Sequence, residues 1–122
     1  MHLVKQIEDM ELQLSEWRQD LHAHPELGFE EHRTSDFVAS KLEEFGVEVH
    51  REIGKTGVVG VLRQGNETRS IGLRADMDAL PIRETNEFSH KSKNPGKMHA
   101  CGHDGHTVML LAAAKYLAES RS

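Results

Sequence analysis

Apolar residues recur at helical spacing in two parts of the N-terminal half. In roughly the first 22 residues they are three or four positions apart, at Leu3, Ile7, Met10, Leu14, Trp17 and Leu21. This pattern predicts one amphipathic helix, which Pro25 ends. A second helix is predicted over residues 34–45, with Thr34 or Ser35 as its N-cap and Gly46 after its last turn.

A third helix is predicted near the C-terminus, over residues 105–119, with Asp104 as its N-cap. Residues 108–114 are apolar on every side of this helix. A helix of this kind needs other parts of the fold to cover it all round.

Three strands are predicted between the second and third helices, over residues 47–53, 57–63 and 70–75. The second contains V-V-G-V-L, which is apolar on both faces and typical of a strand covered on both sides. A long polar loop over residues 76–102 follows. The two-sided strand and the all-round apolar helix require at least three layers. We therefore predict an α/β fold, a three-layer sheet with flanking helices, of which this chain forms the first portion.

Composition narrows the class of protein. The chain has 122 residues and a net charge of −5 with histidine neutral, which argues against a nucleic-acid binder. No segment approaches the ~18 apolar residues of a membrane span, and acidic residues interrupt the start where a signal peptide would be apolar. We therefore expect a cytoplasmic protein without nucleic-acid or membrane partners. The single cysteine, Cys101, excludes an internal disulfide.

Potential metal ligands are concentrated in M-H-A-C-G-H-D-G-H-T, residues 98–107. Cys101 and His103 lie two positions apart in a loop before a helix, so both side chains can point to one side of the chain. A thiolate and an imidazole suit zinc, manganese or cobalt. The alternative is a buried cysteine beside a surface histidine. His99 and His106 flank the pair and strengthen the metal interpretation.

Two other polar stretches are candidates for the same site. Asp76 and Asp78 follow the predicted strand over residues 70–75, and ligands bind beyond the carboxyl ends of strands in open α/β sheets. They could ligate metal or hold a ligating imidazole; alternatively, one caps a turn and the other is solvated. His22 and His24 are interpreted as partners of the C-terminal dipole of the first helix.

Four motifs together resemble the N-terminal part of a known enzyme family. They are R-Q-D-L-H-A-H-P-E-L-G-F-E-E, G-K-T-G-V-V-G-V-L, L-R-A-D-M-D-A-L-P-I-R-E and M-H-A-C-G-H-D-G-H-T. The resemblance is to metal-dependent amidohydrolases of the hippurate hydrolase and indole-acetyl-amino-acid hydrolase branch of the aminoacylase and carboxypeptidase G type peptidases. It runs from about Trp17 to Leu117, nearly the whole chain.

The resemblance implies an activity and its cofactors. Such enzymes hydrolyse the amide bond of small N-acyl amino acids, such as hippurate, with a water activated by two divalent metal ions and a glutamate base. The metals implied are zinc, manganese, cobalt or nickel. A lid and dimerisation domain is inserted later in the family's chain and is absent here, so a homodimer would form through a missing domain.

The resemblance also implies roles for particular residues. Cys101 and His103 match metal ligands, and Asp78 matches the catalytic-site aspartate that the wider family keeps after its first metal-binding histidine. Asp76 holds that histidine's place, so its role stays open. The further candidates for a ligand or supporting contact are His99, Asp104 and His106.

The family's glutamate pair and remaining histidine ligands lie beyond Ser122, and neither Glu84 nor Glu87 fits the glutamate pattern. Residues 1–122 would then be the N-terminal part of a catalytic domain, with little or no activity alone. Two other hypotheses remain. One is a non-catalytic module that binds one metal ion or a partner chain. The other, a cysteine hydrolase that uses Cys101 and His103, lacks a third orienting group.

Overall fold

The computed structural model describes residues 4–120 of the chain. Its elements follow in the order α1 (Lys5–Glu8), α2 (Glu11–Ala23), α3 (His32–Glu44), β1 (Glu48–Ile53), β2 (Gly57–Val61) and α4 (His103–Ser120). The hairpin of β1 and β2 packs on α3, α3 also contacts α4, and α4 packs on α2. The core between them contains Trp17, Leu21, Val38, Leu42, Val47, Val108 and Leu111.

The predicted N-terminal helix is divided into two. The turn at Met10 has φ −90° and ψ −1°, and the Met10 amide donates to the Ile7 carbonyl three residues back, so α1 ends before α2 begins. Met10 is buried at this turn. Helix α2 ends at Ala23, shortly before Pro25, as predicted. Leu3, the first position of the apolar pattern, lies outside the described residues.

Helix α3 begins at His32, and the prediction of Thr34 or Ser35 as its N-cap is wrong. No side chain at the N-cap residue Glu31 bonds the helix either. Instead the Glu26 carboxylate accepts hydrogen bonds from the amides of Arg33, at 3.0 Å, and Thr34, at 2.7 Å. A carboxylate satisfies the free amides of the first turn and complements the positive end of the helix dipole. Glu26 therefore caps α3 from outside the helix.

Strands β1 and β2 form an antiparallel hairpin, in which Val49 pairs with Gly60. One face lies on α3, and a Cβ atom at Gly60 would lie 2.9 Å from Val47 Cγ1 and 3.2 Å from Leu42 Cδ1. On the other face Val59 is 44% exposed. The prediction that this strand is covered on both sides is therefore wrong for residues 4–120, which supply cover from α3 alone.

The third predicted strand, over residues 70–75, is absent from the described structure. Ile71 is 90% exposed and Leu73 is 61% exposed. A strand needs a neighbour to receive its backbone hydrogen bonds, and no other segment within residues 4–120 lies beside this one as a partner. The apolar composition of residues 70–75 predicted a buried segment, whereas the rest of residues 4–120 does not cover it.

The long loop over residues 76–102 is confirmed, and it is held in place at several points. Leu80 and Met98 exchange two backbone hydrogen bonds of 2.9 and 3.0 Å, which bring the two ends of the loop together. The amide of Ala79 donates to the backbone carbonyl of Glu26, and the amide of Lys93 donates to that of Ala23, each at 2.8 Å. The loop is thereby attached to the C-terminal end of α2 and the turn after it.

Helix α4 begins at His103, so Asp104 lies in its first turn and is not the N-cap that we predicted. Val108 and Leu111 are buried, whereas Met109 is 61% exposed and Leu117 is 45% exposed. The cover that the apolar pattern requires is therefore only partly present. Within residues 4–120 no helix is both long enough and apolar enough to cross a membrane.

Candidate metal centre

His103 is oriented by Asp78. Its Nδ1 atom lies 2.9 Å from Asp78 Oδ1 and 3.0 Å from the Asp78 carbonyl oxygen. A carbonyl oxygen can only accept, so Nδ1 carries the hydrogen, and in the neutral ring Nε2 offers its lone pair. Metal-binding histidines typically have this arrangement, with the other ring nitrogen donating to a carboxylate or carbonyl.

Cys101 is an exposed free thiol two residues before His103. Gly102 between them has φ +82°, a left-handed conformation that costs glycine little. The thiol and the free nitrogen of His103 are the two donor types that suit zinc and cobalt. The donor types of Cys101 and His103 and the tautomer of His103 fit a divalent metal ion.

The other aspartate of the motif, Asp76, is placed differently. Its Oδ1 atom lies 2.5 Å from Arg74 Nη2, and the residue is exposed. Its backbone carbonyl accepts a hydrogen bond of 3.1 Å from Thr107 Oγ1 in α4. Of the two aspartates, the structure joins Asp78 to His103 and pairs the side chain of Asp76 with Arg74.

The two flanking histidines have opposite surroundings. His106 is exposed, and its ring centroid lies 5.8 Å from that of His103. His99 is 5% exposed, and neither of its buried ring nitrogens has a hydrogen-bond partner among the described residues. Burial lowers the pKa of His99, although the nearby charge of Asp104 opposes this shift. His99 is therefore a buried imidazole that favours the neutral state.

Asp104 belongs to a buried polar network. Its Oδ2 atom lies 2.9 Å from His22 Nδ1 and 3.1 Å from Arg18 Nε, and its Oδ1 atom accepts the Gly105 amide at 2.9 Å. Burial would raise the pKa of Asp104, but the hydrogen bonds from His22 and Gly105 and the charge of Arg18 together lower it. The network therefore favours the ionised form of Asp104, the residue that follows His103.

His22 also contacts the long loop, because its Nε2 atom lies 3.0 Å from Glu84 Oε2. Glu84 accepts two further hydrogen bonds, from the Ser92 amide at 2.7 Å and from Asn86 Nδ2 at 2.9 Å. Burial would raise the pKa of Glu84, but the hydrogen bonds from His22, Asn86 and Ser92 outweigh it and lower the pKa to about 2. Glu84 is thus a buried acceptor that organises the loop.

Sequence reasoning missed this network. The dipole interpretation fits His24, whose Nδ1 atom lies 2.8 Å from the Asp20 carbonyl in the last turn of α2. His22 also lies in the last turn of α2, but the interpretation missed that its ring lies between two carboxylates that are 82 and 62 positions away. The sequence pattern excluded Glu84 as the family's catalytic glutamate and indicated no other role for it. No local signal marks either residue, since their partners are distant in the sequence.

The described residues alone do not complete a metal site. Within residues 4–120, no group of three or more histidine, cysteine, aspartate or glutamate side chains is arranged to hold an ion. Cys101 and His103 are two donors, whereas a structural or catalytic zinc ion typically has three or four protein ligands. The chain offers part of a ligand set.

Comparisons with known proteins agree with the motifs. The model of peptidase family M20/M25/M40 matches residues 72–122. The hippurate hydrolase of Campylobacter jejuni is 58% identical over 118 residues, which are 97% of this chain and 31% of that protein. The N-acyl-L-amino acid amidohydrolase of Geobacillus stearothermophilus is 49% identical over 94% of this chain and 31% of its own length.

Solved structures agree as well. A dinuclear metal-binding peptidase of family M20 from Bacillus subtilis superimposes with a TM-score of 0.87 and 39% sequence identity, over 93% of this chain and 32% of that one. This likeness confirms the mixed helix and strand fold class. The chain spans about a third of the length of the proteins it matches. It is therefore a relative of the amidohydrolases of peptidase family M20/M25/M40 and corresponds to their N-terminal part.

Proposed function

We propose that this chain supplies two metal ligands, Cys101 and His103, to the catalytic domain of an N-acyl-amino-acid amidohydrolase. The observation that carries the proposal is the hydrogen bond from His103 Nδ1 to Asp78 Oδ1, at 2.9 Å. It leaves Nε2 of His103 available, two residues after the exposed thiol of Cys101. The similarity to a hippurate hydrolase and an N-acyl-L-amino acid amidohydrolase supports the substrate class.

Each residue then has a defined task. Cys101 as a thiolate and His103 through Nε2 hold a divalent ion, and Asp78 keeps the imidazole in the correct tautomer and orientation. When bound, such ions polarise the amide carbonyl and lower the pKa of water. The proposed metal centre is dinuclear, by analogy with the Bacillus subtilis relative, and the candidate ions are zinc, manganese, cobalt and nickel.

The remaining ligands and the general base are proposed to come from residues outside this chain. Two donors are too few for a catalytic site, and the matched relatives are about three times as long as the matched segment. The chain would thus be the N-terminal part of a catalytic domain. The lid and dimerisation domain would lie in the same missing part.

A chimera tests the proposal directly. This chain would replace the matching 118-residue segment of the Campylobacter jejuni hippurate hydrolase. We expect the chimera to hydrolyse hippurate when manganese or zinc is added. Cys101→Ala and His103→Ala should each lower the rate by at least about 100-fold, because even outer partners of a metal ligand are worth 10–100-fold.

Two controls make the chimera decisive. His50→Ala removes an exposed histidine of β1 that pairs with Glu48, so its rate should stay within about two-fold of the parent chimera. Circular dichroism verifies that each chimera is folded. A folded chimera without metal-dependent hydrolysis would contradict the catalytic proposal and favour a non-catalytic module. Full activity after loss of Cys101 or His103 would contradict the ligand assignment.

A further inference from the structure

The imidazole of His22 connects two distant parts of the chain. The side chain is 3% exposed and lies between Asp104 Oδ2, 2.9 Å from Nδ1, and Glu84 Oε2, 3.0 Å from Nε2. Both carboxylates are buried as well, at 3% and 2% exposure of their side chains. A buried polar group costs free energy unless its hydrogen bonds are satisfied, and here each group satisfies the others.

Asp104 connects this network to the first turn of α4. It follows His103 in the first turn of α4, and its second carboxylate oxygen accepts the Gly105 amide. The amide of His106 donates to the Gly102 carbonyl at 2.9 Å, which closes the same turn. The position of Asp104 therefore fixes the start of α4, on which His103 lies and from which Cys101 is two residues away.

Glu84 connects the network to the long loop over residues 76–102. Its carboxylate accepts the Ser92 amide and the Asn86 side chain, so it fixes the middle of the long loop. Phe88 and His90 of the same loop stack with their ring centroids 3.9 Å apart, and both rings lie within 6 Å of the His22 ring, at 5.9 and 5.8 Å. The long loop thus packs against the His22 ring.

We propose that His22 is a positioning residue for the metal-ligand pair: through Asp104 it holds the first turn of α4 in the geometry that presents His103 beside Cys101. Only the metal-binding part of this proposal rests on the proposed function. The effect of His22 on the geometry of the first turn of α4 does not depend on it. His22 touches neither ligand and acts through Asp104 alone. Its contact with Glu84 serves the loop and should be separable from the effect on the ligands.

Two amide substitutions separate the contacts. Asparagine at position 22 carries a nitrogen near the place of Nδ1 and can still donate to Asp104. Glutamine carries one near the place of Nε2 and can still donate to Glu84. Both remove the ring, and asparagine is the poorer helix former. If His22 only filled space, His22→Asn would be as harmful as His22→Gln or worse.

Amide hydrogen exchange of the metal-free full chain is the first measurement. In His22→Gln the amides of Gly105 and His106 should exchange about ten-fold faster, because a hydrogen bond to a charged group is lost. In His22→Asn the change should stay below about three-fold. The amide of Val47, which donates to the Leu42 carbonyl at 3.0 Å, is the internal control and should not change. Equal acceleration in both variants, or none in either, would overturn the proposal.

Cobalt binding is the second measurement, with the sulfur-to-cobalt charge-transfer band as the signal. The affinity should fall by about ten-fold in His22→Gln, the lower end of the range for residues that support a ligand, and stay near the parent value in His22→Asn. No band in the parent chain would count against the proposed metal function, whereas the exchange result would still decide the positioning role.

A third variant covers the case in which both changes at position 22 prevent folding. Arg18→Gln removes the partly exposed guanidinium whose Nε lies 3.1 Å from the same Asp104 oxygen. We expect a smaller acceleration, about two- to five-fold, confined to Gly105 and His106. Unchanged exchange at these two amides in folded Arg18→Gln would then overturn the proposal.

Discussion

His103 and Asp78 are joined by a hydrogen bond of 2.9 Å between Nδ1 and Oδ1, although they lie 25 positions apart. The backbone bonds between Leu80 and Met98 bring the two ends of the loop together and allow this contact. A ligand whose ring is held in place loses less entropy when an ion binds. The contact therefore fits the proposed role of His103 as a metal ligand.

Asp78→Ala should weaken cobalt binding by about ten-fold, because the ring loses the carboxylate that orients it. The loss should lie at the lower end of the usual 10–100-fold range, since the backbone carbonyl of residue 78 still accepts from Nδ1. Asp76→Ala is the matched control. Its side chain pairs with Arg74 at the surface, so the affinity should change by less than about two-fold. Equal losses in the two variants, measured by cobalt titration, would contradict this division of roles.

The thiol of Cys101 provides a test that needs no substrate. It is the only cysteine and is exposed, so a chromogenic disulfide reagent reports on this site alone. Saturating zinc should slow the reaction at least about ten-fold, because a metal-bound thiolate is less available as a nucleophile. In His103→Ala at the same zinc concentration the protection should disappear. Protection that persists without His103 would mean that another residue completes the pair.

The parts of the fold that the sequence predicted correctly depend on local patterns. The spacing of Trp17 and Leu21 predicted the buried face of α2, and the polar composition of residues 76–102 predicted a loop. The division at Met10 was missed, because the apolar spacing continues across the turn. The strand over residues 70–75 was wrong for a different reason: an apolar segment becomes a strand only beside a partner, and no pattern within the segment reports whether that partner is present.

In the candidate site, too, the features that the sequence predicted are local and those that it missed join distant residues. The interval between Cys101 and His103 and the motif around Asp78 are local, so both could be recognised from the sequence, and the shared ion stays a prediction. The contacts of His22 with Asp104 and Glu84 and the capping of α3 by Glu26 depend on how the loops fold. No periodicity or spacing rule reaches such pairs.

Glu84 should make stability depend on pH in the acid range. Its pKa is about 2 in the folded chain against an ordinary value of 4.5. A lowered carboxylate pKa stabilises the fold above pH 4.5, and this stabilisation is lost as the pH falls from about 4.5 towards 2. It is at most about 3–4 kcal/mol at neutral pH, from 1.36 kcal/mol per pKa unit.

Urea denaturation of the parent chain and Glu84→Gln at pH 7, 5 and 3 measures this contribution. Glutamine keeps the size of the side chain but cannot ionise. The parent should be more stable at pH 7, and the difference in the free energy of unfolding should shrink at pH 3. Glu87→Gln, at an exposed position of the same loop, is the control and should show no such trend. A difference that is constant across the three pH values would contradict the role of the ionised carboxylate.

Close packing of β2 on α3 predicts a specific sensitivity at Gly60. A methyl group there would meet Val47 Cγ1 at 2.9 Å and Leu42 Cδ1 at 3.2 Å. Gly60→Ala should therefore lower the free energy of unfolding by about 1–3 kcal/mol through overpacking. Gly72→Ala is the matched control, since nothing lies within 4 Å of a Cβ atom at that position. Thermal or urea unfolding of the two variants measures the difference, and equal stabilities would show that the helix and hairpin pack less tightly than described.

Substitution of His99 tests whether this buried histidine, two residues before Cys101, is a further ligand beside the proposed pair Cys101 and His103. Its two ring nitrogens are buried without partners among the described residues. Burial lowers the pKa of His99, which favours the neutral form of the ring. Removing an unsatisfied buried polar group is neutral or favourable, so His99→Leu should keep or raise the free energy of unfolding by up to about 1 kcal/mol. The cobalt band should persist in His99→Leu and vanish in His103→Leu, which changes the same residue type to the same side chain. Loss of the band in folded His99→Leu would instead identify His99 as a third ligand and show that this chain contributes more of the metal centre than its two matched residues.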